Sequence, residues 1–323
     1  MFINNIKLHY YDKLIKQSIE KNDLHNLRNS LENSEKDKKL LLKLLKSNLF
    51  KISETQEFKS IFPQNILWVN SYENEDVLIV NKFLDYYLAK IKFSYSAPKH
   101  YSKSLFEIFD DLGIEGDISF EEVTNFSYVY QYLISISARD KLIILNSNAA
   151  FFESKIGRLF THFFLTKAFF YIVRDPLYLY KKYKTDDKNL DNHAVLNKLL
   201  NLENGISKVQ NDHRFYEENK QGWHINVKSW NNINAINTFR GLLFKIEDIL
   251  DKPDEAFAEM IGHLIQSGVR LNLDYSIIRG FINEHREMLT ITKHEYELSK
   301  NEKKLLNREI GDLAKSLKYN IEP

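Results

Sequence analysis

Three short stretches carry side chains of the kind that hold anions or move protons. The first is Arg174-Asp175-Pro176, directly after the apolar run Phe170-Tyr171-Ile172-Val173. A guanidinium is always charged and meets phosphate oxygens with paired N–H donors, so an arginine at a strand exit suits a phosphate group. The competing use is a salt bridge to the next loop. Lys182, eight residues on, adds a second cation that acts as a point charge. The second stretch is Ser71-Tyr72-Glu73-Asn74-Glu75-Asp76, just past the apolar run Ile66–Val69. Carboxylates that open a helix complement its dipole, and oxygen donors also suit Mg²⁺ or Ca²⁺. The third is Asn146-Ser147-Asn148, which follows Leu142–Leu145. Asn148 can hydrogen-bond a ligand but cannot take a proton as a base.

Other chemistries are excluded or unsupported. The chain has no cysteine, so disulfides, thiolate nucleophiles and Cys-based zinc sites are ruled out. His213, His224, His263 and His285 are scattered without zinc-ligand spacing, and no metal site is expected. No Gly-x-Ser-x-Gly elbow and no Gly-x-x-x-x-Gly-Lys loop occurs, against hydrolase and kinase readings. The 45 basic and 44 acidic side chains nearly cancel, which argues against nucleic acid as a partner. The polar start is not a signal peptide, and Leu159–Val173 is interrupted by His162 and Lys167 and falls short of the ~20 residues of a membrane span. A cytoplasmic protein is expected.

These stretches need elements to position them. Leu14, Ile15, Ile19, Leu24 and Leu27, then Leu40 to Leu49, recur at helical spacing up to Pro63. Residues 1–62 are therefore expected to be an N-terminal helical extension, a cap or a partner-binding arm, with 63–323 as the main domain. Beyond Pro63, the short continuous runs Ile66–Val69, Leu142–Leu145, Ala168–Val173 and Leu242–Phe244 read as strands covered on both faces. The spacing predicts helices over 77–91, 101–112, 194–204, 254–267, 274–287 and 297–317, and 184–192 reads as a solvent loop. Tyr178, Tyr180 and Tyr183 with Lys181, Lys182 and Lys184 read as an amphipathic helix. Alternating strand and helix implies an α/β fold of three layers, a central mostly parallel sheet flanked by helices. Ligands in such sheets bind past the carboxyl ends of the strands, where all three stretches fall.

The string Tyr171-Ile172-Val173-Arg174-Asp175-Pro176 resembles the strand exit of the sulfotransferases that use 3′-phosphoadenosine-5′-phosphosulfate (PAPS). Further elements follow in order. Gly157-Arg158-Leu159-Phe160-Thr161 and Thr166 precede it, and Gly222-Trp223 with Val227-Lys228-Ser229-Trp230 comes after it. Phe244-Lys245-Ile246-Glu247-Asp248 with Pro253, and Ile310-Gly311-Asp312-Leu313 with Leu317-Lys318-Tyr319, are similar to the family's later segments. The resemblance covers residues 66 to 320 and implies a sulfotransferase, P-loop-like fold. It places the donor, PAPS or its product PAP, on Arg174, Lys182, Ser71, Tyr72, Asn74, Glu75 and Asp76.

This chain departs from the family where the chemistry should be. The family's lysine, serine and glycine of the anion loop are Asn74, Glu75 and Asp76 here. Its general-base histidine is Asn148, and a phosphate-binding serine is Lys182. The leading expectation is a degenerate, non-catalytic subunit that binds or supports another protein or a second copy of itself. One alternative is an active sulfotransferase with a rewired site transferring a sulfuryl group to a hydroxyl. Another is a cation-assisted binder of a different ligand.

Overall fold

The computed structural model describes residues 64–101, 131, 134–135, 138, 140–148, 165–187, 189–200, 222–232, 236–237, 239–290, 294 and 296–321. The expected extension over 1–62, the expected helix over 101–112 beyond its first residue, and the Gly157–Thr161 segment lie outside these residues.

Five strands form one parallel sheet: β1 (Ile66–Ser71), β2 (Tyr95–His100), β3 (Leu142–Ser147), β4 (Thr166–Val173) and β5 (Gly241–Lys245), in the order β2-β3-β1-β4-β5. β1, β3 and β4 are buried along almost their whole length, so their residues read as unbroken apolar runs rather than an alternation. The expected strands are all present. β2 is an addition. It is an edge strand, half-exposed and carrying Pro98, and its register with β3 shifts between Ser96 and Lys99. Proline has no N–H to donate, which confines it to such edges and hides the strand from a search for apolar runs.

Helices cover both faces. On one face, Leu67, Val69, Ile144, Ala168, Phe170 and Ile172 meet α1 (Asn74–Lys90) and helices that follow β5. Residues Val77, Val80, Phe83, Leu84, Tyr87 and Leu88 of α1 fall on one side at helical spacing and are all buried. Phe83 stacks on Phe257 with ring centroids 4.0 Å apart. On the other face, Phe169 and Tyr171 pack against Trp230, and Trp68 meets Tyr101 edge-on.

The further α-helices among the described residues are α2 (Pro176–Asp186), α3 (Asn192–Leu200), α4 (Trp223–Trp230), α5 (Ile246–Asp251), α6 (Pro253–Gln266), α7 (Tyr275–Glu284) and α8 (Lys300–Ser316). α2 reaches Asp186, so the expected loop over 184–192 shrinks to 187–191. Lys184 is buried there with its Nζ donating to the Leu190 carbonyl at 2.8 Å, an anchor that a run of polar residues conceals. No helix among the described residues is long and apolar enough to cross a membrane.

Candidate functional site

β1 lies between β3 and β4, and the chain leaves β1 toward β2 but leaves β4 toward β5. Neighbouring strands whose connections depart in opposite directions open a crevice at their carboxyl ends. Ser71 ends β1 opposite Ile172 of β4, so Ser71 and Arg174 flank this crevice.

In Arg174-Asp175-Pro176 two residues have local work. Asp175 caps α2, accepting from Leu177 N–H at 2.8 Å, and Pro176 takes the first helical position. Arg174 is left as the chemical group. Its Nε donates to Asp76 Oδ1 at 2.7 Å and its NH2 donates to the same oxygen. The Asp76 side chain is 1% exposed and that of Arg174 13%, so this is a buried ion pair. Tyr178 lies under the guanidinium, 4.3 Å from ring centroid to carbon.

The rest of the loop turns toward α2 as well. Lys182 Nζ contacts Glu75 Oε2 at 2.7 Å. Tyr183 OH donates to Glu73 Oε1 at 2.5 Å and is also hydrogen-bonded to Tyr72. Each acidic residue of the loop thus meets one polar side chain from the β4 exit or α2. The Ser71 hydroxyl donates to the Glu73 carbonyl. Tyr72 is buried and its OH donates to the carbonyls of Lys198 and Leu199, 3.2 Å each, so it anchors α3. Asn74 and Glu75 are exposed at the start of α1.

Burial dominates the electrostatics. It pushes the Asp76 carboxyl up to about 6 against the pull of Arg174, with Glu73 and Glu247 adding to the rise. Asp76 Oδ2 has no hydrogen-bond partner, consistent with a carboxylate only partly compensated. Asp175 is likewise raised to about 6 by burial. Arg174 and Lys182 are both held more firmly charged by their carboxylate partners.

Asn148 stands on the far side of the crevice. Its carbonyl accepts from Asn226 Nδ2 at 2.9 Å, and Asn226 Oδ1 accepts from Tyr171 OH at 2.8 Å. Its own Oδ1 is unpartnered, as are both side-chain polar atoms of Asn70, which is fully buried between Ser147 and Tyr171 of the neighbouring strands.

Several residues that shape the site carry no role in the sequence reading. Glu247 accepts from Asp175 N–H and from Tyr319 OH, both at 2.9 Å. Trp223 Nε1 donates to the Arg174 carbonyl at 3.1 Å. Trp223, Glu247 and Tyr319 lie inside the segments that suggested the resemblance, and that recurrence was the available signal. Asn70 had none beyond its place at the end of an apolar run.

The donor named by the resemblance carries two anionic groups, and the residues present do not suit it. Asp76 brings a carboxylate to the position that the resemblance gives to a glycine, and Arg174 is already engaged by it. Among the described residues no group of three or more acidic or histidine side chains is arranged to hold a metal ion.

No protein-family model matches the sequence, and no curated protein matches it. Among solved structures the chain is similar to a sulfotransferase domain from the curacin biosynthetic pathway. The TM-score is 0.37 and the identity 14%, covering 80% of this chain and 99% of that one. At that score the functional reading rests on the residues of the crevice themselves.

Proposed function

We propose that this chain is a sulfotransferase-like protein without sulfuryl-transfer activity, which acts as a binding or structural subunit for another protein or a second copy of itself. The observation that carries the reading is the buried Arg174–Asp76 pair, seconded by Lys182–Glu75. Both cations offered for a donor are neutralised by carboxylates of the loop that would have to bind it. The position of a general base holds Asn148, whose amide does not take up a proton near neutral pH. The cation-assisted alternative is disfavoured because Glu73, Glu75 and Asp76 are each engaged by Tyr183, Lys182 or Arg174.

At neutral pH the purified protein should transfer sulfate from PAPS to phenols or sugars no faster than a buffer control, since loss of a general base alone costs ~10²–10⁴-fold. PAP should bind only weakly in calorimetry. Turnover well above the control that disappears in Arg174→Ala would establish a rewired active site and end this reading.

A further inference from the structure

The Arg174 guanidinium is held by a carboxylate in a buried crevice, at the exit of one strand and within reach of the first turn of α1. A carboxylate bonded by a guanidinium presents to it the same pair of acceptor oxygens that a phosphate or sulfate would. Here only one oxygen is used: Oδ1 takes both Arg174 bonds, while Oδ2 is buried without a partner. At the α1 start the N-cap residue Glu73 makes no capping hydrogen bond, and the first turn carries Glu75 and Asp76 itself.

We propose that Asp76 is a built-in occupant of an oxyanion site on Arg174, and that the site opens to sulfate- or phosphate-class anions when Asp76 takes up a proton. The inference rests on the reading above that the crevice is closed at neutral pH. Protonation removes the charge that competes for Arg174, which itself stays cationic at any relevant pH.

The surroundings of Asp76 favour such a proton at mildly acidic pH. Arg174 faces it from the β4 exit, Glu73 from the loop, Glu247 from α5, and the hydroxyls of Tyr72 and Tyr171 lie within electrostatic range of the same place. Tyr178 of α2 touches the guanidinium. Burial and the two glutamates raise the carboxyl to about 6, and only Arg174 opposes them. At that value about 3% of Asp76 is protonated at pH 7.5 and about 90% at pH 5. Apparent affinity scales with the competent fraction, so it should rise about thirtyfold between the two.

Sulfate is the probe of choice because it stays doubly charged across this range. Sulfate, and then PAP, would be titrated calorimetrically into wild type, Asp76→Asn and Arg174→Gln at about pH 7.5 and about pH 5, with circular dichroism confirming the fold of each. Wild type should bind weakly at pH 7.5 and about thirtyfold more tightly at pH 5. Asp76→Asn should bind at both pH values with little difference, which separates Asp76 from any histidine that titrates in the same range. Arg174→Gln should bind at neither. Tight sulfate binding by wild type at pH 7.5 would overturn the closed-crevice reading itself. Weak binding by both wild type at pH 5 and Asp76→Asn at either pH would leave that reading intact and overturn the gate.

Discussion

Asp76 occupies an awkward electrostatic position, and its consequences for stability have a definite sign. The group is held at about 6 against an ordinary 3.8, with burial as the cause and Arg174 as a partial offset. Between about pH 4 and pH 6 the folded chain therefore keeps a proton that the unfolded chain has lost. Stability from this group falls as pH rises through that window. A shift of about two units is worth about 3 kcal/mol. Asp175, raised by burial to a similar value, acts in the same direction, so the contribution of Asp76 must be isolated by difference. Asp76→Asn should gain stability relative to wild type on going from pH 4 to pH 7, by up to about 3 kcal/mol in guanidinium unfolding at a series of pH values. Parallel curves for the two proteins would mean that Asp76 ionises as an ordinary aspartate. The sequence shows the acid at position 76 and the arginine at 174, but not that they pair, because the pairing depends on which strands are neighbours.

At the scale of elements, α4 is the wall that ties the crevice to the opposite face of the sheet. It donates Trp223 to the Arg174 carbonyl, bonds Tyr171 and Asn148 through Asn226, and stacks Trp230 on Tyr171. Its start is set by Gly222, which lies against the end of α3. A Cβ there would meet the Leu200 carbonyl oxygen at 2.2 Å and its carbon at 2.6 Å. Those are backbone atoms and cannot swing aside. Gly222→Ala should cost about 1–3 kcal/mol, as overpacking does, and should shift the emission of the buried tryptophans as α4 moves off its neighbour. Unaltered melting and emission would show that α3 yields without cost. The buried strands β1, β3 and β4 were legible as continuous apolar runs, as was β5, although it is an edge strand and half-buried rather than covered on both faces. The Asp175–Pro176 helix start was legible from capping chemistry. Edge strand β2 was not, because an edge strand with a proline and alternating exposure carries no apolar run.

For the molecule as a whole, residues far apart in the chain meet at one end of the sheet: the 71–76 loop, Arg174 to Tyr183, Trp223 to Trp230, Glu247 and Tyr319. The convergence of these stretches was therefore readable from strand exits and sheet topology, whereas the pairing of Arg174 with Asp76 and of Lys182 with Glu75 followed from side-chain contacts that only the assembled chain defines. The hydrophobic core beside α1 runs from Leu67 to Phe281; at the start of α1, Asn74 and Glu75 are exposed and Asp76 is buried in its pair with Arg174. Changing positions 74 to 76 resets the crevice, and because Asp76 is the buried partner of Arg174 its loss should also lower stability. Asn74→Lys, Glu75→Ser and Asp76→Gly together add three positive units to a chain whose formal charge is +1. At ~4 Å, each carboxylate–anion pair costs about 1 kcal/mol in water-like surroundings and about 4 kcal/mol at the effective dielectric of a protein surface. Removing two such repulsions, freeing Arg174 and Lys182 and adding a lysine should improve PAP binding by several kcal/mol, where each ~1.4 kcal/mol is tenfold. The gain should shrink at high salt, since the crevice mouth at Glu75 is exposed to solvent. Titration of wild type and the triple variant with PAP at low and high salt, beside melting curves for both, measures the two effects separately. A well-folded variant with no better affinity would place the anion position away from this loop, and with it the explanation of why the crevice is closed.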